Sequence, residues 1–268
     1  EFSDLRMRVW RYGALVGDPV FKLVTPYDSA AVARLQYAQS ADVIYLTDGV
    51  LPPQRLARFA LDNWSISDWL PDDGPFRASN VDKAVTLQAS AETGAITLTA
   101  SQAIFSADMV GGLLKLEPFQ YDTIPLWTSN TAVAVGDRMR ADGNIYRLTA
   151  GSNTGVVPPQ HLEGTELVDK TTGATWAFDS DGVGIARITA FSSATSVSAE
   201  VIRTLPKPCV DAPTSLWAEG AWSEKNGYPA TVDIADQRLI FAGTPTEPRT
   251  IWPSATGAFS EFLPGVEA

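Results

Sequence analysis

The residues whose types and spacing could do chemistry are one histidine and several close carboxylates. His161 follows Pro158-Pro159-Gln160 in a predicted loop. Serine–histidine catalysis would also need an orienting acid and an oxyanion site, and no motif marks either. Asp72-Asp73 suits either a carboxylate pair that cleaves sugars or a polar turn before Gly74-Pro75. We expect the turn, because adjacent residues of a strand point to opposite faces and could not share one groove.

The candidate binding residues are three aromatic side chains in one short segment. Trp127, Tyr146 and Trp176 could stack on sugar rings, or they could form the core of a small module. Asp179-Ser180-Asp181-Gly182 resembles part of a calcium loop but lacks the downstream glutamate at the required spacing. Cys209 precedes an apolar residue, and we expect it to be a buried, small apolar side chain.

Known enzyme motifs are absent from the sequence. It contains no phosphate-binding loop of the G-x-x-x-x-G-K type, no G-x-S-x-G, no H-E-x-x-H and no complete G-x-G-x-x-G. We therefore expect no enzymatic activity, no catalytic residues, no metal and no cofactor.

Composition narrows the class of protein further. The chain has 268 residues, 45% of them apolar, and a formal net charge of -11, so it is globular and acidic. This charge disfavours duplex DNA binding, which depends on neutralising phosphates. A single cysteine excludes an internal disulfide framework. No apolar run approaches about 18 residues, so no membrane-spanning segment is expected. The start at Glu1-Phe2-Ser3-Asp4 and the end at 264–268 suggest a fragment of a longer protein.

Short runs rich in Val, Ile, Thr and aromatic residues predict an all-β protein with little helix. Alternating side chains predict a strand over Leu5–Tyr12 that turns at Gly13 into a hairpin. The one good helix candidate is Ala30–Leu35, capped by Asp28 or Ser29. Asp142-Gly143-Asn144 predicts a tight hairpin turn.

Two distant segments share one pattern. In each, an acidic residue (Asp42 or Asp236) precedes an apolar strand ending near Gly, followed by a turn with prolines and a second strand. An aromatic residue, Trp64 or Phe259, follows about 22 positions after the acid. This pattern is typical of β-propeller blades, although any sandwich-like all-β protein also has hairpins.

The sequence predicts four parts. Residues 1–78 and 206–268 form one scaffold of blade-like strands. Residues 79–121 and 180–205 form a small β-barrel, in which 184–191 and 196–202 make a hairpin. Residues 122–179 form an inserted three-stranded module that carries Trp127, Tyr146 and Trp176.

Strings near both ends of the chain resemble the tail nozzle and hub proteins of short-tailed bacteriophages. The first comprises Pro26-Tyr27-Asp28, 35–46 (LQYAQSADVIYL) and 52–58 (PPQRLAR). The second comprises 217–224 (WAEGAWSE), 227–229 (GYP), 237–244 (QRLIFAGT) and 248–254 (PRTIWPS). The barrel is similar to the first catalytic cysteine half-domain of ubiquitin-activating enzymes, whose chemistry we do not transfer. The insert resembles chitinase-type carbohydrate-binding modules.

The resemblance implies a virion protein that is assembled in the bacterial cytoplasm and forms part of the tail wall. Its partners would be other tail subunits in a homo-oligomeric ring, with DNA passing unbound through an acidic lumen. It would also take part in host attachment. Two alternatives stay open: a glycan-binding adsorption module that uses Trp127, Tyr146 and Trp176 on a host surface glycan, and a polysaccharide depolymerase that uses Asp72 or Asp73.

Overall fold

The computed structural model describes residues 1–17, 19–118 and 123–263. These residues are 45% strand and 5% helix, which confirms the predicted all-β class. The chain divides into two compact units. We call Glu1–Phe76 with Gly220–Ala268 the scaffold unit, and Arg77–Glu219 the central unit. The predicted barrel–insert boundary at 121/122 and the end at 264–268 lie outside the described residues.

The strands of the scaffold unit are β1 (Phe2–Ser3), β2 (Arg6–Arg8), β3 (Trp10–Arg11), β4 (Ala14–Leu15), β5 (Lys22–Val24), β6 (Gln36–Ser40), β7 (Val43–Thr47), β8 (Gln54–Ala60), β9 (Asn63–Asp68), β20 (Thr231–Ala235), β21 (Arg238–Ala242) and β22 (Ile251–Pro253). Its helix is α1 (Ser29–Arg34).

The strands of the central unit are β10 (Leu87–Ala89), β11 (Ala95–Ala100), β12 (Leu113–Glu117), β13 (Arg138–Ala141), β14 (Asn144–Ala150), β15 (Thr165–Asp169), β16 (Ala174–Ser180), β17 (Gly184–Ser193), β18 (Ser196–Arg203) and β19 (Leu216–Glu219). A 3-10 turn covers Ala107–Met109, and α2 covers Pro208–Asp211.

The N-terminal layer, residues 1–35, is less continuous than the sequence predicts. Leu5 and Tyr12 adopt φ values of 55° and 50°, so the predicted strand is shortened at both ends, and it is divided at Val9 into β2 and β3. β1, β2 and β5 form one sheet, and β3 and β4 form the predicted hairpin. α1 is capped as expected, because the Asp28 carboxylate accepts a hydrogen bond from the Ala31 amide at 2.7 Å.

Two antiparallel sheets form the body of the scaffold unit. The first scaffold sheet has the order β6-β7-β8-β9, and the second scaffold sheet has the order β20-β21-β22. Both are meanders, as the two similar sequence segments predict. They pack on each other through one group of buried side chains, the shared core, with members Ala38, Tyr45, Ala221, Trp222, Val232, Leu239, Phe241, Trp252 and Phe262.

The central unit contains a nearly closed, barrel-like sheet of six strands in the order β10-β11-β18-β17-β12-β19. Strand β11 alternates between exposed and buried residues, as a barrel wall requires. The predicted hairpin is present as β17 and β18. β19 pairs with β12, so residues 206–219 belong to the central unit. The sequence had placed them in the scaffold. The four-part division otherwise stays a prediction.

The inserted module has four strands, not the predicted three. Its order is β13-β14-β16-β15. The turn between β13 and β14 is the predicted one, with positive φ at both Asp142 (48°) and Gly143 (80°). β15 was missed because Thr165, Glu166 and Leu167 are all exposed, and a strand without alternating burial has no period-2 pattern.

Candidate functional site

The three aromatic residues proposed for glycan stacking pack together inside the inserted module. Tyr146 and Trp176 are fully buried, and Trp127 is half-buried against the same core. The Tyr146 hydroxyl donates to the carbonyl of His161 at 2.9 Å. Burial raises the pKa of Tyr146. With two of the three rings enclosed, the trio presents no common ring face to a sugar, which corrects the stacking interpretation in favour of the core alternative.

His161 lies against this core. Its ring centroid is 5.2 Å from that of Tyr146, and its Nδ1 atom is 3.2 Å from a carboxylate oxygen of Glu166. The imidazole side chain is 12% exposed. These contacts give the histidine a packing role in the inserted module.

The Asp72-Asp73 pair lies in a bend outside the strands, where the sequence predicts a polar turn. Asp72 is exposed, whereas an Asp73 carboxylate oxygen accepts a hydrogen bond from the Phe262 amide at 2.8 Å. Asp73 therefore binds a backbone group in the last part of the scaffold unit. This structural contact accounts for Asp73 without a role in sugar cleavage.

The carboxylates of the fragment that resembles a calcium loop pair with arginine side chains. Asp179 accepts from the guanidinium groups of both Arg138 and Arg147, and Asp181 pairs with Arg203. Arg138 and Arg147 are directly opposite on β13 and β14, where two like charges would repel. Asp179 removes this repulsion by accepting from both.

The same arginine network joins the inserted module to the barrel-like sheet. Arg138 also donates to Glu92 at 2.8 Å, and Glu92 lies between β10 and β11. Sequence reasoning missed this network. Its one available indication was the alternation of Arg138 and Arg140 along a predicted strand.

Cys209 lies in the core of the barrel-like sheet and is fully buried, as predicted. Burial raises the pKa of the thiol, and the nearby charge of the Glu117 carboxylate raises it further, to about 12. At neutral pH the thiol is therefore protonated and a poor nucleophile or metal ligand.

The described part of the chain contains no group of three or more His, Cys, Asp or Glu side chains arranged to hold a metal ion. A cavity of about 680 Å³ lies between α2 and the β13 edge of the inserted module. The charges of Lys207 and Asp211 on its rim pair with each other, and those of Arg138 pair with Asp179 and Glu92.

The scaffold unit holds the most extensive aromatic contacts, in the shared core. Trp69 stacks on Phe241 with ring centroids 5.3 Å apart and planes 25° apart. Trp222 packs edge-on against Phe241 at 5.0 Å and against Trp252 at 5.8 Å. Trp69 precedes the central unit in the chain and the other rings follow it, so this core ties the two ends of the sequence together.

Comparison with models of known protein families finds no match. Comparison with curated proteins likewise finds no significant relative. Across the described residues, no helix has both the length and the apolar character needed to span a bilayer.

Proposed function

We propose that this chain is a non-catalytic structural component of a bacteriophage tail, of the nozzle or hub type. It would form part of the tail wall through which DNA passes and take part in host attachment. The observation that carries the proposal is the shared core. The two segments that resemble tail proteins supply strands to both scaffold sheets, and these sheets pack into one body.

The proposed lack of catalysis draws support from the contacts of the candidate catalytic groups. His161 packs on Tyr146, Asp73 binds the Phe262 amide, and Cys209 is buried with a raised pKa. Each group thus has a structural role that accounts for its position. A wall subunit needs this kind of rigidity, because it must keep its shape while DNA moves past it.

Charge supports the proposed passage of DNA. Acidic residues outnumber basic ones in both units, and the whole chain carries a net charge of -11. An acidic wall repels phosphates and would let the duplex slide without being held. In a mobility-shift titration at low salt, we expect the chain to leave double-stranded DNA unretarded. Retardation that disappears at high salt would argue against a passive wall.

Locating the chain in virions tests the proposal directly. Antibody raised against the purified chain, detected by gold particles in electron microscopy, should label the tail and leave the capsid shell unlabelled. Preincubating the antibody with soluble chain should remove the label, which controls for specificity. Label on the capsid, or particles that lack the chain altogether, would refute the tail assignment.

A further inference from the structure

A basic and aromatic surface lies on the N-terminal layer of this acidic chain. Arg6, Arg8 and Lys22 face outward from the β1-β2-β5 sheet, because Met7 between the two arginines and its partner Leu23 face the core. Val24, the cross-strand partner of Arg6, is 77% exposed. This sheet face therefore presents cations and apolar surface together.

The β3-β4 hairpin, which follows β2 directly in the chain, adds exposed aromatic side chains. Trp10 is 51% exposed and Tyr12 is 94% exposed. The guanidinium carbon of Arg11 lies 4.9 Å from the centre of the Tyr12 ring, which is a cation–π contact. Tyr12 also has a positive φ, a conformation that bulky residues rarely adopt. We call Arg6, Arg8, Trp10, Arg11, Tyr12 and Lys22 the basic–aromatic patch.

Arg8 and the hairpin residues of the patch line a groove of about 600 Å³. Phe2, Leu56 and Trp64 are among its lining residues, together with members of the patch. Glu1 fixes part of the patch, since its carboxylate accepts from the Trp10 indole at 2.6 Å and from Arg8 at 2.9 Å. Tryptophan, tyrosine and arginine around a groove are the residue types that dominate binding energy in protein interfaces.

A surface of opposite character lies on the inserted module of the central unit. Residues 162–167 are all exposed, with Leu162 at 70% and Leu167 at 47%. Glu163 and Glu166 lie between these leucines, each next to one of them, so the segment is both acidic and apolar. It includes most of β15, which is the edge strand of its sheet and has one unpaired side there. We call residues 162–167 the acidic ribbon.

We propose that the basic–aromatic patch binds the acidic ribbon of a second copy of this chain. The arginines of one surface match the glutamates of the other, and exposed rings match exposed leucines. Because the two surfaces differ, the contact is heterologous and can continue from copy to copy or close into a ring. This inference goes beyond the proposed function and does not depend on it.

Charge exchange between the two surfaces tests the contact on the full chain. Sedimentation velocity at physiological ionic strength, over a wide range of concentrations, should show self-association. Arg11→Glu on the patch and Glu163→Lys on the ribbon should each weaken it by about tenfold or more, because each places like charges opposite each other. Both side chains are exposed, so these changes should leave the fold intact.

Mixing the two variants gives the decisive arm of the experiment. An equimolar mixture should recover association, since the acidic patch of one variant meets the basic ribbon of the other. Lys83→Glu, an exposed charge reversal outside both surfaces, is the matched control and should leave association unchanged. A chain that stays monomeric at every concentration, or variants that weaken association without recovery on mixing, would overturn the proposal. Self-association by a chain that is absent from virions would refute only the tail assignment.

Discussion

The two scaffold sheets come from similar sequence segments but differ in how they are covered. On β7, Tyr45 faces the shared core, and Leu46 faces a second core built with the N-terminal layer. On β21, Phe241 faces the shared core, whereas its neighbour Ile240 on the other face is only half-buried. The first scaffold sheet is therefore held from both faces. The second scaffold sheet depends mainly on one face. Strands with similar sequences therefore contribute differently to stability, depending on which residues pack against them.

The largest expected effect of this difference is in the shared core. Phe241→Ala removes a fully buried ring that contacts Trp69 and Trp222, and should lower the free energy of unfolding by about 3–5 kcal/mol. Ile240→Ala on the same strand should cost less than about 1.5 kcal/mol, because that side chain faces the more open side. Urea denaturation measures both. Equal losses for the two variants would show that the second scaffold sheet is covered on both faces.

The next largest loss of stability is expected from a substitution on the outer face of the first scaffold sheet, compared with one on the outer face of the second. Leu46→Ala should destabilise the chain by about 2–5 kcal/mol, since Leu46 is 1% exposed in the core under the N-terminal layer. Ile251→Ala, on the open face of the second scaffold sheet, should change stability by no more than about 0.5 kcal/mol, because Ile251 is 65% exposed. Thermal unfolding monitored by circular dichroism provides the measurement. A small effect of Leu46→Ala would mean that the N-terminal layer does not hold the first sheet.

A smaller effect is expected from the helix in the N-terminal layer. Asp28→Ala removes the side-chain cap of α1 and should cost about 1 kcal/mol. Asp28→Asn keeps an oxygen acceptor at the cap and should retain most of the stability. Denaturant midpoints of the two variants measure the difference. Identical midpoints would indicate that the cap contributes little to holding α1 on the first sheet.

The smallest effect at neutral pH is expected at Tyr27, whose buried hydroxyl has no hydrogen-bond partner among the residues that the structure describes. Burial raises the pKa of Tyr27 above its ordinary value of 10, and the carboxylates of Asp48 and Asp68 raise it further. The hydroxyl is thus harder to ionise in the folded chain than in the unfolded one. Its contribution is complete below about pH 10 and is lost as the pH rises above that value.

Tyr27→Phe should therefore leave stability at pH 7 unchanged or slightly higher, because it removes an unsatisfied buried group. As the pH rises above 10, the variant should also lose less stability than the parent chain. Denaturant titrations at several pH values compare the two. A large loss at pH 7 would show that the hydroxyl has a hydrogen-bond partner after all.

Local features were predictable where one residue type determines the backbone. The Asp28 cap and the Asp142-Gly143 turn follow from short-range hydrogen bonding and positive φ, and both are present. The positive φ values of Leu5 and Tyr12, at the ends of the predicted strand, were not predictable, since neither residue favours that conformation. Strand β19 was also assigned to the wrong part, because its pairing with β12 joins residues about 100 positions apart.

The candidate site was less predictable than the strands. Type and spacing alone did not decide whether Tyr146 and Trp176 pack in a core or stack on a ligand, because both roles use the same apolar ring faces. The Asp179 network was hidden for a different reason. A carboxylate near Gly182 suits a cation or an arginine equally well, and only the pairing of β13 with β14 places Arg138 and Arg147 beside it.

The central claim is that the first and last parts of the chain form one scaffold through the shared core. A double-mutant cycle between Trp69→Leu and Phe241→Leu tests it most directly, because these stacked rings come from opposite sides of the central unit in sequence. We predict a coupling free energy of about 0.5–1.5 kcal/mol. The control cycle between Trp69→Leu and Ile188→Val, in the separate core of the barrel-like sheet, should be additive. Coupling of zero between Trp69 and Phe241 would contradict the shared scaffold.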